Sequence, residues 1–207
     1  MTRDEINKLI EKWGGSFSPQ DYRNYFGDTQ YDDRSAMINY CMIREHKPKV
    51  IVEFGSRKGR CTRDIYQALR DNGGEFDFRS FELEDNMREQ AQASMDREFG
   101  NVITIGGDVV NAKLPTNIDY LFLDHYHDEV MNNWVFDKLL PEHCADGCIV
   151  AIHDIPIYGD YEFKGNPWDE TALIVKKHQE GTLPLEKIYW TYEEDYTWES
   201  TWWKYRS

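Results

Sequence analysis

Short apolar runs recur along this chain, and most are separated by stretches whose apolar residues are spaced three or four apart. Runs of this length, rich in β-branched and aromatic residues, predict buried strands, whereas the second spacing predicts amphipathic helices. The predicted strands cover residues 49–55, 75–82, 102–108, 118–124, 147–154, 186–192 and 197–206. The predicted helices cover the segment before Gly14 and residues 34–46, 59–70, 86–99, 129–140 and 169–179.

The connections between the strands predict how they pair. A helix between two strands favours a parallel crossover, whereas the short gap between residues 186–192 and 197–206 forces an antiparallel connection. We therefore expect an α/β fold, a doubly wound, mostly parallel seven-stranded sheet with a C-terminal antiparallel hairpin. Residues 1–47 are expected to form N-terminal helices and a lid loop, and residues 48–207 the main domain.

The amino-acid composition indicates which classes of binding partner to expect. The 207 residues include 24 lysines and arginines against 38 aspartates and glutamates, a formal net charge of −14. Such a chain repels phosphate backbones and anionic lipids, so neither nucleic acid nor a membrane is expected as a partner, while a homo-oligomer stays open. Because the sequence has neither an apolar run of about 18 residues nor the pattern of a signal peptide, we expect a cytoplasmic protein. Four cysteines without paired CxxC spacing indicate reduced thiols in or near the core.

The first predicted strand ends in a glycine turn, residues 53–59, with the sequence EFGSRKG. Ligands bind outside the carboxyl ends of strands in an open parallel sheet. Gly55 permits a tight turn and close approach of a ligand, and Gly59 lets the next helix sit against the strand. The turn is neither GxGxxG nor a P-loop, which argues against a nicotinamide dinucleotide or a P-loop triphosphate. Arg57 and Lys58 are candidates for a ligand carboxylate, with exposed turn cations as the alternative.

Acids end the next two predicted strands. Glu82 follows Gly55 by 27 residues, where a carboxylate can accept both ribose hydroxyls; the alternative is an exposed acid in the run ELED. The third strand ends in Gly106, Gly107 and Asp108, where a loop acid can meet an adenine amino group. Strand ends bearing glycine, glutamate and aspartate in this order indicate a cofactor that contains a nucleoside.

These strand ends resemble those of the class I S-adenosylmethionine-dependent methyltransferases over residues 50–154. VEFGSRKG is similar to the family's cofactor turn, FE to its ribose acid and GD to its adenine-side loop. The resemblance implies a Rossmann-like methyltransferase domain over residues 48–207, with S-adenosylmethionine as the cofactor. It assigns cofactor binding to Glu53, Gly55, Ser56, Arg57, Gly59, Glu82, Asp108 and Asp124.

Residues 118–155 are similar to a small-molecule O-methyltransferase branch that includes macrolide-sugar O-methyltransferases. Some members of that branch hold magnesium with an acid after the fourth strand and a pair of residues after the fifth, and they use a histidine as general base. Carried over position by position, this resemblance makes Asp124, His153 and Asp154 metal ligands. It makes His127 the base, so that His127 and Asp124 are the expected catalytic residues.

The residues themselves also favour a charged site there. Asp124 and the pair His153 and Asp154 end two strands expected to lie roughly 5 Å apart, so their side chains can converge on one ion. A cation there would lower the pKa of a substrate hydroxyl, and His127 would take the proton. An imidazole ligand at His153 shifts the metal preference of the site from magnesium toward manganese, iron or zinc. The alternative is that His153 does not bind the metal and instead hydrogen-bonds to the residues that do.

The expected function is S-adenosylmethionine-dependent methyl transfer to a hydroxyl of a small molecule, assisted by a divalent metal (magnesium or manganese) and a histidine base. Two alternatives stay open: an enzyme similar to a hydroxylase branch of the same fold, and a cofactor-binding protein without transferase activity. Of the neighbouring residues, Asp128 fits a helix N-cap and His125 a loop residue. Residues 17–33 and 156–170 are expected to wall the acceptor, because loops at the carboxyl ends of strands carry specificity.

Overall fold

The computed structural model describes residues 1–17, 33–125, 129–154, 169–190 and 200–207. The chain divides into two compact units, Met1–Leu114 and Pro115–Ser207, which are described in turn. The predicted separation of residues 1–47 from residues 48–207 stays a prediction. Within the described ranges, no helix combines the length and the apolar character that crossing a membrane requires.

The described residues of the N-terminal unit form four α-helices, and all four were predicted. They are α1 (Arg3–Trp13), α2 (Asp33–His46), α3 (Arg60–Asn72) and α4 (Asp85–Phe99). A capping box begins α1: the Thr2 hydroxyl accepts the Glu5 N–H, and the Glu5 carboxylate accepts the Thr2 N–H at 2.7 Å. Gly73 and Gly100 end α3 and α4. Glycines are common at this position because they leave the helical conformation easily.

Two parallel strands, β1 (Val50–Phe54) and β2 (Asp77–Phe81), lie in the same unit. They pair from Val50 opposite Asp77 to Phe54 opposite Phe81, which confirms the predicted parallel arrangement. The sequence of β1 does not alternate between apolar and polar residues, and all but its first residue are buried. Apolar side chains from α2, β1 and α3 contribute to the core: Ile38, Met42, Ile51, Phe54, Ile65 and Leu69.

The predicted strand at residues 102–108 is replaced by a loop that touches β2 at a single point. Gly106 forms one isolated bridge to β2, opposite Phe81. The loop backbone is bonded instead by the side-chain amide of Gln92 in α4, which donates to the Ile103 carbonyl at 2.9 Å and accepts the Ile105 N–H at 2.8 Å. The described residues therefore contain six strands rather than the seven predicted.

The C-terminal unit contains the remaining strands and helices. In its described residues these are β3 (Ile118–Leu123), α5 (Glu129–Trp134), α6 (Leu140–His143), β4 (Cys144–His153), α7 (Asp169–Gln179), β5 (Leu185–Trp190) and β6 (Ser200–Tyr205). A π-helical turn, Val135–Leu139, joins α5 to α6. The single helix predicted over residues 129–140 therefore carries one widened turn and reaches His143.

The strands of the C-terminal unit lie in the order β3-β4-β6-β5. β3 and β4 are parallel, with Leu123 opposite Ile152, and β6 is antiparallel to both β4 and β5. This confirms the predicted C-terminal antiparallel hairpin and places its second strand between β4 and β5. Trp202 and Trp203, which are adjacent in β6 and so point to opposite faces, are both fully buried. The fold is a mixed α/β fold, as the sequence predicted.

Candidate functional site

The turn after β1 holds the first group of predicted cofactor residues. Gly55, Arg57 and Gly59 have positive φ angles of 84°, 49° and 89°. The Gly59 N–H donates to the Ser56 carbonyl at 2.7 Å and closes the turn. The N–H groups of Gly55 and Ser56 donate to the Phe81 carbonyl at 2.8 and 3.1 Å, which ties the turn to the end of β2. This left-handed backbone is readily reached by glycine, which has no Cβ.

Gly59 also permits a close approach between two helices. A Cβ at this position would lie 3.1 Å from the Cα of Ala91 and 3.2 Å from its carbonyl oxygen, on α4. α3 begins directly after Gly59 without a side-chain cap. The first turn of α3 therefore presents backbone N–H groups next to the glycine turn, and such groups favour a negatively charged or polar ligand atom.

Glu82 follows β2 and bonds directly to this turn. Its Oε2 accepts the Arg57 N–H at 2.6 Å, and its Oε1 accepts the Glu84 N–H at 2.9 Å. Glu82 is only 9% exposed. Each carboxylate oxygen has a further lone pair, so the side chain can still accept a hydrogen bond from a ligand hydroxyl. The predicted ribose acid is therefore also a structural part of the turn.

Two polar side chains of the turn region are buried. Ser56 is 2% exposed, and its hydroxyl has no hydrogen-bond partner within the part of the chain that the structure describes. Glu53 is fully buried, and its Oε2 accepts the hydroxyls of Thr62 at 2.6 Å and Ser80 at 2.5 Å. A buried hydroxyl without a partner costs about 1–3 kcal/mol, so Ser56 is suited to a polar atom supplied by a ligand. Glu53 ties β1 to α3 and β2.

Asp108 lies on the loop after residues 102–107 and is exposed. Its Oδ1 accepts the Val110 N–H at 3.0 Å, and its Oδ2 accepts the Asn111 side-chain amide at 2.6 Å, so it caps a short 3₁₀ turn. The Gly106 carbonyl accepts the Glu82 N–H at 2.9 Å. Backbone hydrogen bonding therefore keeps the loop that carries Asp108 next to the end of β2.

Arg88 belongs to this group of residues and was not predicted. Its Nη1 donates to the Glu82 carbonyl at 3.1 Å, and its Nη2 pairs with the Asp85 carboxylate. A Cβ at Gly107 would lie 3.4 Å from the same Nη1. The guanidinium thus connects the end of β2 to the glycines before Asp108. The sequence feature that could have indicated its role is a cationic residue near the start of α4, the helix that follows Glu82.

Three predicted metal ligands come together in the C-terminal unit, at the carboxyl ends of β3 and β4. One ligand atom from each of Asp124, His153 and Asp154 lies within 4.8 Å of the others. His153 Nδ1 lies 3.3 Å from Asp124 Oδ1 and 3.1 Å from Asp154 Oδ1. The imidazole is buried, whereas both carboxylates are partly exposed. We call these three residues the acid-histidine-acid cluster.

The charges in this cluster favour a cation. Burial lowers the pKa of His153, but the charges and hydrogen bonds of Asp124 and Asp154 outweigh burial and raise that pKa to about 10. Either a proton on His153 Nδ1 or a metal ion at the same place would balance the negative charge of the two carboxylates. The cluster therefore has the donor set and the charge of a cation site.

Asp154 has an unusual backbone conformation, with a positive φ of 58°. Aspartate and asparagine are the residues other than glycine that reach this region most readily. Such a conformation costs on the order of 1–3 kcal/mol and is often found at functional sites. It ends β4 and turns the chain at the residue that follows His153.

Other predicted site residues lie outside the described part of the chain. These are His127, the predicted base, and Asp128, the predicted helix cap. Residues 17–33 and 156–170 also lie outside it, apart from their ends. His125 is described and is half-buried. The assignments of individual residues to cofactor, metal and catalysis stay predictions.

Comparison with known protein families gives one match. Residues 52–155 match a family described as a methyltransferase domain. The matched range is just over half of the 207 residues and contains the glycine turn, Glu82, Asp108 and the acid-histidine-acid cluster. No curated protein matches the chain.

Solved structures resemble the chain over nearly its whole length. The SAH-bound methyltransferase PaMTH1 of Podospora anserina is 16% identical with a TM-score of 0.63, and the match covers 99% of this chain and 95% of that one. The O-methyltransferase of Bacillus cereus in complex with SAH is 12% identical with a TM-score of 0.65, covering 100% and 92%. The O-methyltransferase TomG of Streptomyces achromogenes, involved in tomaymycin synthesis and solved with SAM, is 13% identical with a TM-score of 0.65, covering 100% and 92%. At these identities the likeness shows a shared Rossmann-like methyltransferase fold.

Proposed function

Because this chain belongs to the methyltransferase-domain family that its residues 52–155 match, we propose that it transfers a methyl group from S-adenosylmethionine to a hydroxyl of a small molecule. Bound S-adenosylmethionine supplies an electrophilic methyl group on its sulfonium. The acceptor oxygen attacks this methyl carbon, the acceptor proton passes to a base, and S-adenosylhomocysteine leaves.

The observation that carries the cofactor assignment is the buried Ser56 hydroxyl in the turn after β1. This hydroxyl is without a partner in the described residues, and it lies between glycines whose left-handed backbone shapes the turn. A polar atom of the cofactor would satisfy the hydroxyl and remove the desolvation penalty. The N–H groups at the start of α3 lie next to the same turn and favour a cofactor carboxylate.

Glu82 and Asp108 extend this proposal along the cofactor. The Glu82 carboxylate is held by the backbone N–H groups of Arg57 and Glu84 and keeps lone pairs for the ribose hydroxyls. Asp108 is proposed to accept the adenine amino group, and the hydrogen bonds of Gly106 to the end of β2 support this by keeping its loop there. Arg88 donates to the Glu82 carbonyl and lies next to Gly107, so it contacts both the end of β2 and the loop that carries Asp108.

The acid-histidine-acid cluster is proposed to hold a divalent cation, magnesium or manganese. Two carboxylates and one imidazole are donors that suit manganese, and magnesium accepts the carboxylates. Asp124, His153 and Asp154 fit such an ion because one donor atom from each lies within 4.8 Å of the others. When bound, the cation supplies a Lewis acid that lowers the pKa of the acceptor hydroxyl.

His127 is proposed as the general base, on its position three residues after Asp124. An imidazole has a pKa suited to taking a proton near neutral pH. The acceptor is proposed to be small and hydroxylated, in keeping with the O-methyltransferases among the structural neighbours.

Titration calorimetry with S-adenosylhomocysteine tests the cofactor assignment. We expect saturable binding to the wild-type chain and about tenfold weaker binding to Ser56→Ala, the loss of one buried hydrogen bond. Ser94→Ala is the matched control, because Ser94 is also buried but lies within α4. A wild-type chain that does not bind would reject the proposed function. Equal binding by all three proteins would remove only Ser56 from the site.

Transfer itself is tested with S-adenosylmethionine labelled in its methyl group and a panel of hydroxylated acceptors. The expected result is label in the acceptor and an equal amount of S-adenosylhomocysteine. Product formation that instead requires oxygen and a reductant would identify a hydroxylase. Tight cofactor binding without any labelled product would indicate a binding protein.

A further inference from the structure

β4 carries a wide bulge near its start. In the ladder between β3 and β4, Ile118 is opposite Cys144 and Tyr120 is opposite Ile149. Over this interval β3 advances by two residues and β4 by five, so β4 accommodates three extra residues. Gly147, with a φ of 84°, lets the looped-out chain turn back into the strand.

The bulge brings Cys144 and Cys148 close together, because Cys144 pairs at its start and Cys148 directly precedes Ile149, where pairing with β3 resumes. Cys148 Sγ donates to the Ile149 carbonyl at 3.5 Å, and the neighbouring Cys144 together with burial raises the pKa of Cys148 well above the ordinary thiol value. Cys148 is 1% exposed, whereas Cys144 is partly exposed. The pair therefore combines one accessible sulfur with one buried sulfur.

The end of the chain packs against the same bulge. The Ser207 N–H donates to the Asp146 carboxylate at 3.2 Å. A Cβ at Gly147 would lie 3.4 Å from Lys204 Cε, so the stem of this lysine covers the glycine. These contacts support the bulge from the side of β6.

We propose that Cys144 and Cys148 form a modification site, a dithiol that closes to an intrachain disulfide by exchange with a low-molecular-weight disulfide such as oxidised glutathione. The site lies at the start of β4, at the opposite end of this strand from His153. It is independent of the methyl transfer proposed above and does not rest on it.

The exchange proceeds in two steps that balance. The Cys144 thiolate attacks one sulfur of the low-molecular-weight disulfide, which forms a mixed disulfide and releases one small thiolate. Cys148 then gives up its proton to solvent and attacks the Cys144 sulfur, which releases the second small thiolate. The protein loses two protons and two electrons in all, and the small disulfide is reduced to two thiols.

The other two cysteines serve as internal controls. Cys41 is fully buried and Cys61 is 4% exposed. Because both are buried, a low-molecular-weight disulfide does not reach them to form the first mixed disulfide, whereas Cys144 is partly exposed. Exchange should therefore be confined to the Cys144 and Cys148 pair.

Intact mass spectrometry of the full wild-type chain provides the test. The protein is incubated with oxidised glutathione, then denatured and treated with an alkylating reagent that labels every remaining thiol. We expect two of the four cysteines to escape labelling, a loss of two hydrogens, and fragment ions that place the bond between Cys144 and Cys148. Labelling of all four cysteines, or a disulfide between other residues, would overturn the proposal.

Single variants test the order of the two steps. Cys148→Ser should stop at a glutathione adduct on Cys144, because the attacking second thiol is missing. Cys41→Ser should close the bond as the wild type does. A wild-type chain that accumulates the same stable adduct as Cys148→Ser would show that the two sulfurs do not meet, and would contradict the proposal.

Discussion

The Oε2 atom of Glu82 lies 2.6 Å from the backbone nitrogen of Arg57. The acid at the end of β2 therefore fixes the backbone of the turn that follows β1, in addition to its proposed contact with the ribose. With the proposed ribose contact, a single side chain would couple the shape of the turn to cofactor binding. Changes to Glu82 should consequently affect both the turn and the ligand.

Glu82→Gln should weaken binding of S-adenosylhomocysteine by roughly 10- to 100-fold. The amide keeps the size of the side chain but loses the charge and half of the acceptor capacity, and a hydrogen bond to a charged group contributes about 1.5–3 kcal/mol. Glu89→Gln is the control, because Glu89 is an exposed acid on α4 and its loss changes the net charge equally. Calorimetric titration of both variants measures the effect. Indistinguishable affinities would contradict the ribose role.

Gly59→Ala should destabilise the fold by about 1–3 kcal/mol, because alanine strains the left-handed backbone and its Cβ meets Ala91 at 3.1–3.2 Å. Gly73→Ala separates these two causes. Gly73 also has a positive φ, of 68°, but a Cβ there meets no atom within 4 Å. Urea unfolding curves should show a larger loss for Gly59→Ala than for Gly73→Ala. Equal losses would mean that the close approach of α3 to α4 does not matter.

Tyr40 should make stability fall at alkaline pH. Its hydroxyl donates to Asp71 at 2.5 Å and accepts from Arg44 at 2.9 Å. Burial and the bond to Asp71 raise the pKa of Tyr40 to about 12, from about 10 in the unfolded chain. Because the folded state favours the neutral phenol, this contribution is complete below about pH 10 and is lost as the pH rises through about 12.

Comparison with Tyr40→Phe isolates this contribution from the other tyrosines of the chain. The free energy of unfolding of both proteins is measured at about pH 8 and about pH 11. The advantage of the wild type should shrink at the higher pH. A difference that does not change with pH would show that Tyr40 keeps an ordinary pKa.

Asp124→Asn and Asp154→Asn should each weaken Mn²⁺ binding by about tenfold or more, because each removes a charged oxygen donor from the acid-histidine-acid cluster. Asp137→Asn is the matched control: Asp137 lies in the same unit, is largely exposed and pairs with Lys177 at 2.8 Å. Paramagnetic resonance of free Mn²⁺ gives the affinities. If all four proteins bind Mn²⁺ equally or not at all, the cluster is an ion pair of protonated His153 with its carboxylates.

Much of the fold could be predicted because local signals agree with tertiary packing. Capping residues and glycines mark the ends of α1, α3 and α4, and short, largely apolar runs predicted β1 and β3. Residues 102–108 show where this agreement fails. Their β-branched residues are typical of a strand, but the amide of Gln92 takes the hydrogen bonds that a neighbouring strand would supply. The pattern of apolar and polar residues does not show that a side chain will take the hydrogen bonds of a neighbouring strand.

The candidate site likewise has features that the sequence could predict and features that it could not. The acids at strand ends were predictable, because strand order alone brings Asp124 close to His153 and Asp154. The hydrogen bond of Glu82 to the turn, the bond of Arg88 to Glu82 and the buried hydroxyl of Ser56 were not. These features depend on side-chain orientation and burial, which become visible only when the elements are packed. The bulge between Cys144 and Cys148 is likewise a property of strand register.

The bonding of Gln92 to the loop at residues 103–105 also has a consequence for local opening of the protein. The Ile105 amide hydrogen is held by a helix side chain rather than by a sheet partner. Its exchange with deuterated solvent should therefore follow fraying of α4 and not opening of β2. Ile105 would report on the helix although the sequence around it is typical of a strand.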